Sequence, residues 1–165
     1  MTVVIVVGEI DISIPAILTL GNILFAVRSP AGIPVWIALP LVLVMGTLAG
    51  ALNGVLVVAF RLPSLAVTLG TMGAYRALAL LIGGPEGHAG FRPDYIWIGQ
   101  AVFLDALVPA SLLLMLALYA GLAVLMHATV FGRQAFVAGG NSEAARFSGI
   151  AVGRVKIAAF AIGGA

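Results

Sequence analysis

Apolar residues run along this chain in blocks long enough to cross a bilayer, for which about 20 residues suffice. Such blocks cover 34–60, 63–83 and roughly 103–126. A shorter run, 14–27, follows Ser13 and carries Pro15, which reads as a helix cap and a first-turn proline. Residues 1–8 read as the end of a helix and 155–165 as the beginning of one. Both ends of the chain therefore stop inside apolar sequence, where a half-span leaves backbone groups in hydrocarbon at several kcal/mol each. The expected fold is all-α: a polytopic transmembrane helix bundle, incomplete at both ends, with 1–165 part of a single transmembrane domain of a larger protein.

Polarity returns between His127 and Lys156, where a short glycine-bracketed helix is predicted over 141–149. Asn141 or Ser142 caps it, Glu143 complements its first turn, and Arg146 and Phe147 offer a charge and an aromatic anchor. Arg133, Arg146, Arg154 and Lys156 against Glu143 give 127–157 a net charge of +3, and the rest of the chain sums to −1. By the positive-inside rule the 127–157 loop faces the cytoplasm. The 84–101 loop is then external, the Arg61-Leu62-Pro63 turn cytoplasmic and 28–33 external. Trp36, Tyr95 and Trp97 fit interfacial aromatic belts.

Composition narrows the class. The chain is 62% hydrophobic and 8% charged, with mean hydropathy +1.21. Soluble domains carry about 25% charged residues, so this is an integral membrane protein. The net charge of +2 rests on few residues and carries no argument for nucleic acid. There is no cysteine, which excludes disulfides and thiolate metal sites. Met1–Gly8 lacks a basic n-region and does not read as a signal peptide. The single lysine, Lys156, lies between Val155 and Ile157, so no Walker A phosphate loop is present, and neither H-E-x-x-H nor G-x-S-x-G occurs. His88 and His127 have no ligand spacing to another histidine or acid. No catalytic or metal-binding residue is assigned, and no cofactor is expected on this chain.

Several residues inside apolar sequence are candidates for a translocation path. Glu9 and Asp11 separate two apolar runs, and a carboxylate at membrane depth costs a few kcal/mol unless it meets a cavity or partner. They predict a broken helix lining a path, or else an interfacial turn in which Asp11 caps the next helix. Arg76 shares a helix with Thr68, Thr71 and Tyr75; it either snorkels outward or faces the path. Asn53 fits an interhelical hydrogen bond or a substrate contact. Run 34–60 would measure about 39 Å as a helix against a hydrocarbon core of about 30 Å, so it must tilt or project. Its Gly46, Gly50 and Gly54 form a doubled G-x-x-x-G suited to close helix packing, or to a subunit interface, and Ala66, Gly70 and Ala74 repeat the spacing. Asp105 lies near a helix start and Pro109 marks where the span begins, leaving 103–108 as a short interfacial helix.

Glu143-Ala144-Ala145-x-x-x-Gly149 resembles the cytoplasmic E-A-A-x-x-x-G loop of binding-protein-dependent ATP-binding-cassette importers. Glu9-Ile10-Asp11-Ile12-Ser13 resembles the G-G-I-D-L-S segment of their sugar-type permeases, which import ribose, rhamnose and related compounds. Residues 52–57 and 62–72 are similar to the central helices of the same family. Glu9 replaces a common glycine there, and Pro15 falls near the usual valine-glycine. The resemblance covers essentially the whole chain, and the family's permease is about twice as long. It implies a permease subunit in the bacterial inner membrane that forms half of a translocation path with a second permease copy, identical or not. A periplasmic sugar-binding protein delivers substrate. Separate ATPase subunits hold ATP and dock on Asn141, Glu143, Ala144, Ala145, Arg146, Phe147 and Gly149. The competing readings are an ion-coupled secondary transporter or channel using Glu9, Asp11 and Arg76, a membrane-embedded enzyme, and a truncated chain inactive alone.

Overall fold

The computed structural model describes residues 1–28, 33–84, 96, 100, 102–103 and 108–165. Glu86, His88, Arg92, Asp94, Tyr95, Trp97 and Asp105 lie outside the described residues. The elements in chain order are α1 (Thr2–Val6), α2 (Ile14–Arg28), α3 (Val35–Phe60), α4 (Ser64–Gly83), β1 (Val102–Phe103), β2 (Val108–Pro109), α5 (Ala110–Ala128), α6 (Val130–Gly140), α7 (Ser142–Phe147) and α8 (Val152–Gly164). Helices α3, α4 and α5 are long and apolar enough to cross a membrane, and α2 is a shorter apolar helix. Among the described residues the bundle is all-α apart from one short ladder.

That ladder corrects one expectation. Residues 102–103 pair antiparallel with 108–109, with Val102 opposite Pro109 and Phe103 opposite Val108, where a short interfacial helix was expected. Pro109 ends this strand and caps α5. Its ring fixes φ and provides no N–H, which suits a two-residue edge pairing followed by a helix start.

Small residues decide which helices meet. A Cβ on Gly46, Gly50 or Gly54 would lie 2.2 Å from the Gly164 carbonyl oxygen, 2.1 Å from the Phe160 carbonyl oxygen and 2.8 Å from Ile157 Cα, respectively. The doubled G-x-x-x-G thus brings α3 and α8 into backbone contact, and Gly164 is needed reciprocally, its Cβ position falling 2.3 Å from the Gly46 carbonyl oxygen. Such contact gains dispersion that no bulkier side chain permits. The second row of small residues does not act this way. Ala66, Gly70 and Ala74 lie on an exposed face of α4, and among the described residues nothing comes within 4 Å of a Cβ placed on Gly70. Helix α4 instead turns Val67, Tyr75 and Ala79 inward.

Two apolar clusters organise the rest. One joins Ala16, Ile17 and Leu20 of α2 to Ala49 of α3 and to Tyr75 and Ala79 of α4. The other knits Val3 of α1, Met126 of α5, Ala135 and Ala138 of α6, Ala145 of α7 and Val155 and Ala159 of α8. Where α1 meets α6 a Cβ on Gly139 would sit 1.8 Å from the Val6 carbonyl oxygen, so only glycine fits. Helix α5 has little of its surface covered: Leu114, Leu118 and Tyr119 are 62%, 60% and 72% exposed. A helix apolar on every side and this open is stable in hydrocarbon, not in water.

Candidate functional site

The motif 143–149 forms a helix of less than two turns that is closed at both ends. Asn141 Oδ1 accepts the N–H groups of Glu143 (3.1 Å) and Ala144 (2.9 Å), so Asn141 and not Ser142 is the cap. At the other end Ile150 N–H reaches the Ala145 carbonyl (3.0 Å) and Gly149 N–H the Arg146 carbonyl (3.0 Å). This paired pattern needs a left-handed residue at Gly149, whose φ is +79°. A six-residue helix would fray alone; caps at both ends and fully buried Ala145 hold it against α6 and α8. Glu143, Ala144 and Arg146 are exposed, and Phe147 is 92% exposed.

Helix α6 precedes it, inside the 127–157 segment expected as a loop. Thr129 starts it, its hydroxyl accepting Gly132 N–H at 3.3 Å. His127, at the end of α5, places Nδ1 2.9 Å from the Ala123 carbonyl oxygen, and its ring lies 6.1 Å from that of Phe136.

The same left-handed closure ends α1. Glu9 N–H bonds the Val4 carbonyl (3.1 Å) and Gly8 N–H the Ile5 carbonyl (3.0 Å), with Gly8 at φ +78°. The chain then runs through 9–13 before α2 begins, which is the expected helix break. Glu9 crosses to Lys156 on α8 and forms an ion pair with it. Ile10 N–H donates to Ser64 Oγ at the start of α4 (3.2 Å). The break is thereby tied to the helix that follows α7 and to α4.

Beyond the break lies a buried chain of hydrogen bonds. Tyr75 OH donates to the Ala49 carbonyl oxygen (2.9 Å) or to Asn53 Oδ1 (3.2 Å). Asn53 Nδ2 donates to Ser13 Oγ (2.7 Å), and Ser13 Oγ donates to Asp11 Oδ1 (2.7 Å), which also accepts Ser13 N–H (2.8 Å). Every donor beyond the phenol points toward the Asp11 carboxylate. The Ser13 hydroxyl, expected as a cap for α2, is committed to this chain; only its backbone carbonyl accepts from Ala16 and Ile17. Among the described residues Asp11 Oδ2 has no hydrogen-bond partner.

Of the path candidates, Asp11, Asn53 and Thr68 are fully buried and face no open space. Asp11 and Asn53 are brought together through Ser13. Thr68 is not bonded to them, its hydroxyl lying 3.4 Å from the Leu65 carbonyl oxygen. Thr71 bonds back to the Val67 carbonyl at 3.1 Å. Arg76 is exposed, which fits both its outward and its path-facing reading. Sequence reasoning did not single out Ser13, Ser64, Tyr75 and Lys156 as partners. The available signal was a polar side chain inside an apolar run, Asn53, at helical spacing from Ala49 and Val57 on the buried face of α3.

Comparison with known proteins decides among the families this architecture serves. The family described as "Branched-chain amino acid transport system / permease component" matches residues 1–165. The chain belongs to this family. It is 36% identical over 170 residues to the autoinducer 2 import system permease protein LsrD of Yersinia enterocolitica, covering 99% of this chain and 51% of that protein. It is 36% identical over 166 residues to the ribose import permease protein RbsC of Bacillus subtilis, with the same coverage of each. Identity to LsrC of Yersinia enterocolitica is 33% over 163 residues, covering 99% of this chain and 45% of that one. The chain spans about half the length of the curated relatives it matches. No solved structure matches it. These relatives are transport permeases, in keeping with a membrane-embedded chain.

Proposed function

We propose that the chain is the core of a membrane-spanning permease subunit of an ATP-binding-cassette importer, moving a sugar or sugar-like solute across the bacterial inner membrane. The observation that carries this reading is α7: an E-A-A-x-x-x-G helix rooted by Ala145, with Glu143, Arg146 and Phe147 presented outward. The ribose and autoinducer 2 permeases named above support a sugar-like cargo over an amino acid. Segment 127–157 faces the cytoplasm, and a separate ATPase subunit docks on α7. A periplasmic binding protein delivers the solute, and a second permease copy completes the path. No ATP is held by this chain. An ATPase that reorients α7 would move α8 and, through Glu9 and Lys156, the helix break.

The test is uptake by proteoliposomes holding the full-length permease, its ATPase and its binding protein. Uptake should require internal ATP, and Phe147→Ala should weaken ATPase capture while leaving the permease folded. Uptake that persists without ATP but collapses with the proton gradient would instead establish an ion-coupled carrier.

A further inference from the structure

Beside α7 the structure opens a cleft of about 280 Å³. Its walls come from four places far apart in the chain: Glu9 at the helix break, Arg61 after α3, Ser142 and Arg146 on α7, and Gly153 and Lys156 on α8. Three cations and one carboxylate face it. Lys156 is matched by Glu9. Arg61 and Arg146 are both exposed and have no ion pair among the described residues, so the cleft keeps two unmatched guanidinium groups. Two like charges lining one small space repel unless an anion lies between them. Arg61 also holds a left-handed backbone, φ +53°, a conformation that costs a non-glycine residue about 1–2 kcal/mol. Its position at the end of α3 accounts for one favourable contact, with the helix dipole, but not for a shared cleft with Arg146.

We propose that this cleft receives an acidic side chain of the ATPase subunit, so that the docking surface extends from α7 across to Arg61 in the turn between α3 and α4. The inference rests on the reading of α7 as a docking helix. Charge complementarity names the occupant: guanidinium groups bind carboxylates through paired N–H···O bonds. Position names its source. Arg146 lines the cleft from α7 itself and is followed by Phe147, which is 92% exposed. A protein surface that covers Phe147 comes within reach of the cleft mouth. The Ser142 hydroxyl adds a donor on the same wall.

The test measures affinity between the full-length permease in nanodiscs and its ATPase across a series of salt concentrations, in zwitterionic lipid and again with phosphatidylglycerol added. Arg61→Gln should weaken binding roughly tenfold, the loss of one charge-assisted contact, and should flatten the salt dependence. Arg61→Glu should weaken it further, and Arg61→Lys should restore the salt dependence and show that the turn is folded. Phe147→Ala should weaken binding with the salt dependence unchanged. Wild-type affinity and salt dependence in Arg61→Gln and Arg61→Glu, with binding weakened in Phe147→Ala, would overturn the cleft and leave α7 as the docking helix. Wild-type behaviour in all three would overturn the docking reading as well. An effect of Arg61→Gln seen only with phosphatidylglycerol would assign the cleft to a lipid headgroup and overturn the proposal.

Discussion

Glu9 and Lys156, 147 residues apart, form an ion pair that joins the helix break after α1 to α8. Their side chains are 11% and 23% exposed, so the pair is largely withdrawn from solvent. Removing one partner leaves the other charge poorly solvated, at about 1–3 kcal/mol. Glu9→Gln and Lys156→Gln should each lower the unfolding midpoint of the full-length permease. Glu9→Lys combined with Lys156→Glu should recover most of the loss. A reversed pair no more stable than either single reversal would mean that the ion pair contributes nothing.

The glycine rows of α3 and α4 should respond oppositely to one methyl group. Gly50→Ala places a Cβ 2.1 Å from the Phe160 carbonyl oxygen, and relief requires α3 and α8 to separate. Overpacking of this kind costs about 1–3 kcal/mol or more. Gly70→Ala meets nothing within 4 Å and should be neutral or stabilising by up to about 1 kcal/mol through helix propensity. Thermal unfolding of both variants in the same detergent makes the comparison.

Asn53 stands between Ser13 and Tyr75, so its loss removes the donor to Ser13 Oγ and leaves the Tyr75 hydroxyl only the Ala49 carbonyl. A double-mutant cycle with Asn53→Ala and Tyr75→Phe should give a coupling of about 0.6 kcal/mol, with about 1.7 as an upper bound, as for other membrane hydrogen bonds. Zero coupling would place the Tyr75 proton wholly on the Ala49 carbonyl, 2.9 Å away.

Gly149 and Phe147 belong to one motif but should fail differently. Any side chain at φ +79° strains the backbone by about 1–2 kcal/mol, so Gly149→Ala should loosen α7 itself, seen as faster amide exchange at Gly149 and Ile150. Asn141→Ala should do the same through lost capping, at about 1 kcal/mol. Phe147→Ala should leave exchange unchanged and act only on what binds there.

Local encoding explains what could be read directly. The spans α3 and α4 follow from apolar length, and Pro109 marks the start of α5. The cap at Asn141 and the turn at Gly149 join residues no more than five apart, so the stretch itself contains every partner it needs. Helix α6 is not legible locally, because it is short and sits among polar residues.

Partners across the bundle are another matter. The rows Gly46-Gly50-Gly54 and Ala66-Gly70-Ala74 look alike in sequence, yet one presses on α8 and the other stands open. In a bilayer an apolar or small-residue face is as well solvated by lipid as by another helix, so hydropathy does not distinguish a seam from a surface. The sequence by itself determined the membrane class, the spans and the shape of the α7 motif. Tertiary structure decided that Glu9 meets Lys156, that Ser13 serves Asp11 and Asn53 instead of capping α2, and that Arg61 shares a cleft with Arg146. Each of these joins segments whose approach depends on which helices pack together.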